Sequence, residues 1–134
     1  MSESGGCHCG AVRYEVTGEP GHHALCHCTD CRRSSGAPAV SWAMFAQDQI
    51  SISGGDLIDY ASSENAIRQF CAKCGTGLFY INETVFPGLV DIQSATLDNP
   101  DAFPLGAQIQ TAERIGWMEH LDRVPAFERY PGPE

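Results

Sequence analysis

The sequence has few basic residues and little charge of any kind. Lysine occurs once, at Lys73, and 17 acidic residues outnumber the eight lysines and arginines, so the formal net charge is −9. A nucleic-acid-binding surface needs clustered positive charge to displace the counterions of the phosphate backbone. The composition therefore argues against nucleic acid as a partner, and it argues against anionic membrane surfaces for the same reason.

Long apolar segments are also missing. No stretch approaches the roughly 18 apolar residues that a membrane-spanning helix needs. The first six residues are mostly polar and lack the positive and apolar regions of a standard signal peptide. We therefore expect a cytoplasmic protein with no membrane partner, in a compartment that keeps thiols reduced. The seven cysteines are an odd number, so metal ligation explains them better than disulfides do.

The chain also lacks a long amphipathic helix, an internal repeat and a low-complexity linker. With 134 residues, 43% hydrophobic residues and 14 glycines, it is typical of a single mainly-β domain over residues 1–134. We expect a flexible lead-in at residues 1–6, a helical turn within residues 26–35, and a hairpin centred on Gly54 and Gly55. Alternation and turn residues predict strands at residues 11–16, 39–46, 50–53, 57–60, 66–70, 78–81, 85–92 and 107–110.

The cysteines carry the strongest signal in the sequence. They fall into three groups, which are Cys7 and Cys9; Cys26, Cys28 and Cys31; and Cys71 and Cys74. Such short spacings let neighbouring thiolates converge on one zinc ion. A glycine follows Cys9 and Cys74 but not Cys31, and glycine suits a tight knuckle because it can adopt positive φ. We therefore assign to one closed, structural zinc site Cys7, Cys9, Cys71 and Cys74.

Three cysteines then remain for a second zinc site, making two zinc ions per chain. Three protein ligands with a free fourth position are typical of a catalytic zinc, held here by Cys26, Cys28 and Cys31. The alternative is a second structural zinc whose fourth ligand is His8, His22, His23 or His27. A redox role for the last two of these cysteines is less favoured, because no βαβ pattern surrounds them.

An open zinc with three thiolates is suited to thiol chemistry. The site would carry a net charge of −1, which weakens its Lewis acidity and favours a soft fourth ligand such as a substrate thiol. Four basic residues lie within three residues of a cysteine ligand: Arg32, Arg33, Arg68 and Lys73. They could form a local patch that binds an anionic thiol, with Arg32 and Arg33 as anchors for its carboxylates, or they could merely offset the thiolate charge. His27, between two ligands, is expected to make supporting hydrogen bonds.

Several segments together resemble one known family. They are residues 5–15 (GGCHCGAVRYE), 26–32 (CHCTDCR), 35–38 (SGAP) and 68–76 (RQFCAKCGT). In these segments the chain resembles the glutathione-dependent formaldehyde-activating enzymes, a family that also contains centromere protein V-like proteins. The resemblance extends over about residues 5–128 and includes all seven cysteine positions.

The resemblance implies a β-tent fold of several coiled antiparallel sheets, built around zinc-binding cysteine knuckles with few helical turns. It also implies two zinc sites divided as above, with glutathione as co-substrate. The expected activity is that of a carbon–sulfur lyase, or synthase in reverse, that joins glutathione to formaldehyde as S-hydroxymethylglutathione. The partners would then be a small thiol and a small aldehyde. The alternative is a non-catalytic zinc scaffold that binds glutathione or a protein.

Overall fold

The computed structural model describes residues 1–132; residues 133 and 134, which the single-domain prediction includes, lie outside the described part. The strands of this part are β1 (Ser2–Gly6), β2 (Arg13–Thr17), β3 (His22–Cys26), β4 (Val40–Ala46), β5 (Ile50–Ser53), β6 (Leu57–Ala61), β7 (Ile67–Cys71), β8 (Gly77–Ile81), β9 (Leu89–Gln93) and β10 (Ala107–Ile109). The α-helix α1 spans Thr29–Ser35, and 3-10 segments span Gln47–Gln49, Ser94–Thr96, Thr111–Glu113 and Gly116–Arg123.

The strands form two sheets. The small sheet has the antiparallel order β1-β2-β5, and the large sheet has the order β10-β3-β4-β9-β8-β7-β6. Every neighbouring pair of the large sheet is antiparallel except β10 and β3, which are parallel. The expectation of a mainly-β fold with few helical turns is confirmed. None of the helices in residues 1–132 combines the length and the hydrophobicity that crossing a bilayer requires.

Two local expectations were wrong. The first six residues are not a flexible lead-in, because β1 pairs with β2 from Ser2 to Gly6. The segment around Gly54 and Gly55 is not a hairpin, because β5 pairs with β2 and β6 pairs with β7. Both glycines have positive φ, 68° and 57°. They turn the chain from the small sheet to the large sheet, close against the Ala11 carbonyl.

The main core lies between the two sheets. Tyr14 of the small sheet packs edge-on against Phe79 of the large sheet, with ring centroids 5.6 Å apart. The Tyr14 hydroxyl also lies 2.7 Å from the Thr96 hydroxyl, which in turn donates to the Gln93 carbonyl. This core includes Cys7, Val12, Tyr14, Val16, Ala43, Phe45, Cys71, Leu78, Phe79, Val90, Ile92, Leu97 and Phe103.

The opposite face of the large sheet carries a second, smaller cluster of buried residues. Alternation along β4 turns Ala43 and Phe45 toward the main core and Val40 and Trp42 toward the other side. The second cluster consists of Val40 and Trp42 together with Cys26 and Cys31, and Cys28 and Tyr80 pack against it. The large sheet therefore separates a hydrophobic core from a cysteine-containing face.

A substitution at Gly5 tests how closely the chain is packed where the small sheet meets the rest of the fold. A Cβ at this position would lie 2.4 Å from the Tyr14 hydroxyl and 2.6 Å from the Thr96 carbonyl oxygen. We expect Gly5→Ala to lower the free energy of unfolding by about 1–3 kcal/mol, because one contact is to backbone that cannot rotate away. Urea denaturation measures this. Gly116→Ala is the control, since a Cβ there meets nothing within 4 Å, and an equal loss in both variants would contradict the account.

Candidate metal centres and active-site cavity

Four sulfurs from distant parts of the chain meet between the two sheets. The Sγ atoms of Cys7, Cys9, Cys71 and Cys74 all lie within 4.8 Å of one another. The Cys7 and Cys9 sulfurs are 3.6 Å apart, and those of Cys9 and Cys71 are 3.8 Å apart. A tetrahedral zinc with bonds of about 2.3 Å needs sulfurs about 3.8 Å apart. This four-cysteine cluster therefore has the donor chemistry and the spacing to hold a zinc ion.

Two matching knuckles build this cluster. The Gly10 N–H donates to the Cys7 carbonyl at 3.1 Å, and the Gly75 N–H donates to the Cys71 carbonyl at 2.9 Å. Gly10 and Gly75 have φ of 81° and 84°. This left-handed conformation is why glycine follows the second cysteine of each knuckle. A Cβ at either glycine would meet no atom within 4 Å, so backbone conformation rather than space requires them.

Hydrogen bonds favour the anionic form of two of these four sulfurs, those of Cys7 and Cys74. The Val12 N–H donates to the Cys7 sulfur at 3.2 Å and lowers the pKa of that thiol. The Thr76 hydroxyl lies 3.2 Å from the Cys74 sulfur and is the main cause that lowers the pKa of Cys74 to about 5. The same hydroxyl accepts the His8 N–H at 3.0 Å, so Thr76 links the two knuckles.

The other group of cysteines, which we call the three-cysteine cluster, contains three sulfurs. Those of Cys26, Cys28 and Cys31 lie within 4.8 Å of one another. Cys26 ends β3, and Cys28 caps α1 by accepting the Cys31 N–H at 3.2 Å. Burial raises the pKa of Cys26 to about 12 and also raises that of Cys31. These buried thiols become thiolates only beside a strong positive charge, which a bound zinc ion would supply.

Strand β10 and the segment after it hold the three-cysteine cluster in place. The His27 N–H donates to the Ile109 carbonyl at 3.1 Å. The His27 Nε2 atom lies 2.8 Å from the Gln108 side-chain oxygen, and His27 is fully buried. The Thr29 N–H donates to Glu113 at 2.6 Å. The structure therefore places His27 in the supporting position expected from the sequence.

Within residues 1–132, no histidine supplies a fourth ligand to the three-cysteine cluster. The group of metal-ligating atoms that meets there contains the three cysteines alone. His23 is engaged elsewhere, with its ring nitrogens 3.2 Å from the Pro104 carbonyl and 2.7 Å from the Ser94 hydroxyl. His8 lies beside the four-cysteine cluster, and His22 lines the nearby cavity. The geometry supports an open fourth position more than a histidine ligand.

A buried arginine lies beside the three-cysteine cluster. Arg68 is 8% exposed and its guanidinium donates toward the Cys31 sulfur at 3.8 Å and to Asp30 at 2.9 Å. The guanidinium also lies over the Tyr80 ring, 5.0 Å from its centroid. This arrangement fixes one positive charge where three thiolates would accumulate negative charge.

The three-cysteine cluster opens into a cavity of about 210 Å³. We call it the three-cysteine cavity; its walls include Cys26, Cys28, Cys31, His22, Trp42, Arg68, Tyr80, Phe86, Asp91, Ile109 and Gln110. Arg32 and Arg33 do not line it: Arg32 donates to the Thr29 hydroxyl at 3.1 Å, and Arg33 is exposed. Their role as substrate anchors stays a prediction, whereas Arg68 is in a position to meet a substrate.

The cavity also contains an acid that the sequence reasoning missed. Asp91 is 8% exposed, and its buried Oδ1 atom has no hydrogen-bond partner in the described part of the chain. Burial raises the pKa of Asp91 to about 6, although His22 lowers it somewhat. The signal in the sequence is a lone acid in the apolar run Leu89–Gln93. A buried acid that lines a cavity and has a raised pKa is a candidate functional group.

The raised pKa of Asp91 predicts that its carboxylate lowers the stability of the fold, and this loss can be measured. A carboxyl whose pKa is raised on folding costs almost nothing well below its ordinary pKa of 3.8, where it is protonated in both states. The cost grows as the pH rises and is fully present above about pH 6. We expect Asp91→Asn to raise the free energy of unfolding by about 1–3 kcal/mol at pH 8 and to change it little at pH 4. Urea denaturation across this range measures the difference. A lower free energy of unfolding for Asp91→Asn at pH 8 would contradict this expectation and show that the carboxylate stabilises the fold.

Comparison with known proteins agrees with the geometry. A family model described as "Glutathione-dependent formaldehyde-activating enzyme" matches residues 2–113. A protein of Schizosaccharomyces pombe named as an uncharacterized lyase is 29% identical in an alignment 113 residues long, which covers 74% of this chain and 82% of that protein. A Halomonas elongata protein, named provisionally as a glutathione-dependent formaldehyde-activating enzyme, is 26% identical in an alignment 142 residues long, gaps included, which covers 98% of this chain and 90% of that protein.

The fold is also found in a solved structure. A crystal structure of a Rhodobacter sphaeroides protein superposes with a TM-score of 0.60 at 24% identity, covering 78% of this chain and 98% of the other. This likeness shows a shared fold. The family match covers most of the chain and includes all seven cysteines. The chain belongs to the glutathione-dependent formaldehyde-activating enzyme family.

Proposed function

We propose that this chain is a zinc-dependent carbon–sulfur lyase, or synthase in reverse, that acts on the adduct of a thiol and a small aldehyde. Glutathione and formaldehyde are the proposed pair, giving S-hydroxymethylglutathione. The observation that carries the proposal is the three-cysteine cluster, whose sulfurs converge at the wall of a cavity with no fourth protein ligand among residues 1–132. Family membership adds the choice of thiol and aldehyde.

The two clusters suit different roles. The four-cysteine cluster would hold a structural zinc with a complete set of ligands, while Cys26, Cys28 and Cys31 would hold a catalytic zinc. Bound there, zinc would supply a soft centre that favours sulfur over oxygen and promotes ionisation of a thiol. Arg68 would offset the charge that accumulates as a thiol joins three thiolates.

The size of the three-cysteine cavity favours small reactants at the reacting centre. A volume of about 210 Å³ is below the ~300–1,000 Å³ of a typical site for a drug-sized ligand. It suits a thiol group and a one-carbon aldehyde better than a whole tripeptide. A second cavity of about 280 Å³ shares Trp42 and Arg68 with it and adds the polar side chains of Ser34, Ser35 and Gln93. The peptide part of glutathione could extend there.

The two clusters make a prediction about metal content. We expect two zinc ions per chain in freshly reduced protein, measured by native mass spectrometry.

Cys71→Ser should give unfolded or insoluble protein, because its cluster ties the start of the chain to its middle and structural zinc contributes directly to folding. Cys28→Ser should stay folded and lose at most one zinc. Tolerance of Cys71→Ser with unfolding of Cys28→Ser would reverse the two roles.

The proposed activity can be measured as the exchange between free formaldehyde and its glutathione adduct. Carbon-13 formaldehyde and glutathione are mixed with the zinc-loaded protein, and NMR follows interconversion of the free aldehyde and the S-hydroxymethyl adduct. The protein should accelerate this exchange above the uncatalysed rate, and Cys28→Ser should return it to that rate. Unaccelerated exchange for glutathione and for a panel of other thiols and aldehydes would favour the non-catalytic scaffold.

A further inference from the structure

We propose that Asp91 is the catalytic proton carrier of this site: it takes the proton from the incoming thiol and returns it to the aldehyde oxygen. The inference rests on the proposed function and deepens it, because the cysteines hold no proton that could serve this purpose once they are thiolates. Its basis is the position of Asp91 in the large sheet and its missing hydrogen-bond partner.

The position of Asp91 follows from the register of five strands. His22, Met44, Asp91, Tyr80 and Arg68 lie directly opposite one another on β3, β4, β9, β8 and β7. Directly opposite residues in an antiparallel sheet share a face. All of them except Met44 line the three-cysteine cavity. The carboxyl group therefore lies in the middle of the row that forms one wall of this cavity.

The carboxyl group is also free to react. Its Oδ1 atom is buried with no hydrogen-bond partner, although buried carboxylates are normally paired. It does not belong to the group of atoms that meets at the three-cysteine cluster, so a direct role as metal ligand is not supported. An unpaired acid beside a substrate cavity has the geometry of a general acid–base.

The proton balance of the reaction needs such a group. In the synthesis direction a sulfur–carbon bond forms, while the S–H bond and the carbon–oxygen π bond break. The Asp91 carboxylate accepts the thiol proton as the thiol enters, and the resulting carboxylic acid donates it to the oxygen as the sulfur attacks the carbon. In the lyase direction the carboxylate takes the hydroxyl proton, the carbon–oxygen π bond forms again and the sulfur leaves with the electrons of the sulfur–carbon bond. The carboxylic acid then returns the proton to the departing thiolate. No oxidant, reductant or further proton is required.

Charged groups around the cavity fit this cycle. Burial keeps the pKa of Asp91 about two units above that of an ordinary aspartate, near the neutral range where a general acid–base is most effective. The titratable or charged groups that share the cavity with it are His22, Asp30, Arg68, Tyr80 and the three cysteines. Arg68 is already engaged with Asp30 and lies over Tyr80, which leaves Asp91 as the unpaired acid.

The test compares wild-type protein with Asp91→Asn, Asp91→Glu and the exposed-loop control Asp101→Asn. The exchange rate of glutathione and formaldehyde, corrected for the uncatalysed rate, should fall about 10²-fold in Asp91→Asn and partly recover in Asp91→Glu. Zinc content and glutathione affinity by calorimetry should be unchanged in Asp91→Asn. In the lyase direction the wild-type rate should rise with pH through about 6, and this inflection should vanish in Asp91→Asn.

A second readout does not depend on activity. Infrared spectroscopy should detect a carboxyl group that titrates near pH 6 in the wild type and in Asp101→Asn but not in Asp91→Asn. Active wild type with an unchanged rate and pH profile in Asp91→Asn would overturn this inference and leave the proposed function intact. Inactive wild type would overturn the proposed function and this inference together. Lost glutathione affinity or zinc in Asp91→Asn would show that the residue is structural.

Discussion

The convergence of four sulfurs between the two sheets is the constraint on which the rest of the structure depends. Cys7 follows directly after β1 of the small sheet, and Cys71 ends β7 of the large sheet. Both are buried in the main core. Sixty-odd residues separate the two knuckles, so closing this loop costs conformational entropy that ordinary packing must offset. A metal ion shared by these sulfurs would offset that cost and fix the orientation of the two sheets.

This orientation determines what each face of the large sheet can do. One face packs against the small sheet and is rigid, with Phe45, Phe79 and Ile92 almost fully buried. Residues on the other face are therefore held in register without being part of the main core. That face brings Asp91, Tyr80 and Arg68 into the wall of the cavity that also contains the three-cysteine cluster. Within residues 1–132 this arrangement leaves the buried Oδ1 atom of Asp91 without a hydrogen-bond partner, which lowers stability.

The sequence predicted the cysteine grouping and the mainly-β fold, because both depend on local patterns: short cysteine spacings, the glycines at 10 and 75, and alternation along the strands. It did not predict β1, because the polar segment Ser2–Gly6 becomes a strand only by pairing with β2. Gly54 and Gly55 indicated a turn correctly, but the partner strands depend on distant contacts. Asp91 was missed as a site residue for the same reason, since strand register places it in the cavity wall. Arg68 was expected only as one of four basic residues near the cysteines, and strand register places it beside Cys31.

The central claim is that the three-cysteine cluster holds a metal with an open position for a thiol. Cobalt substituted for zinc reports on this directly, because sulfur-to-cobalt charge transfer increases with the number of thiolate ligands. The account predicts that glutathione at millimolar concentration strengthens this band in the wild type and leaves it unchanged in Cys28→Ser. A spectrum that does not change with saturating glutathione, or that shows a histidine as fourth ligand, would contradict it.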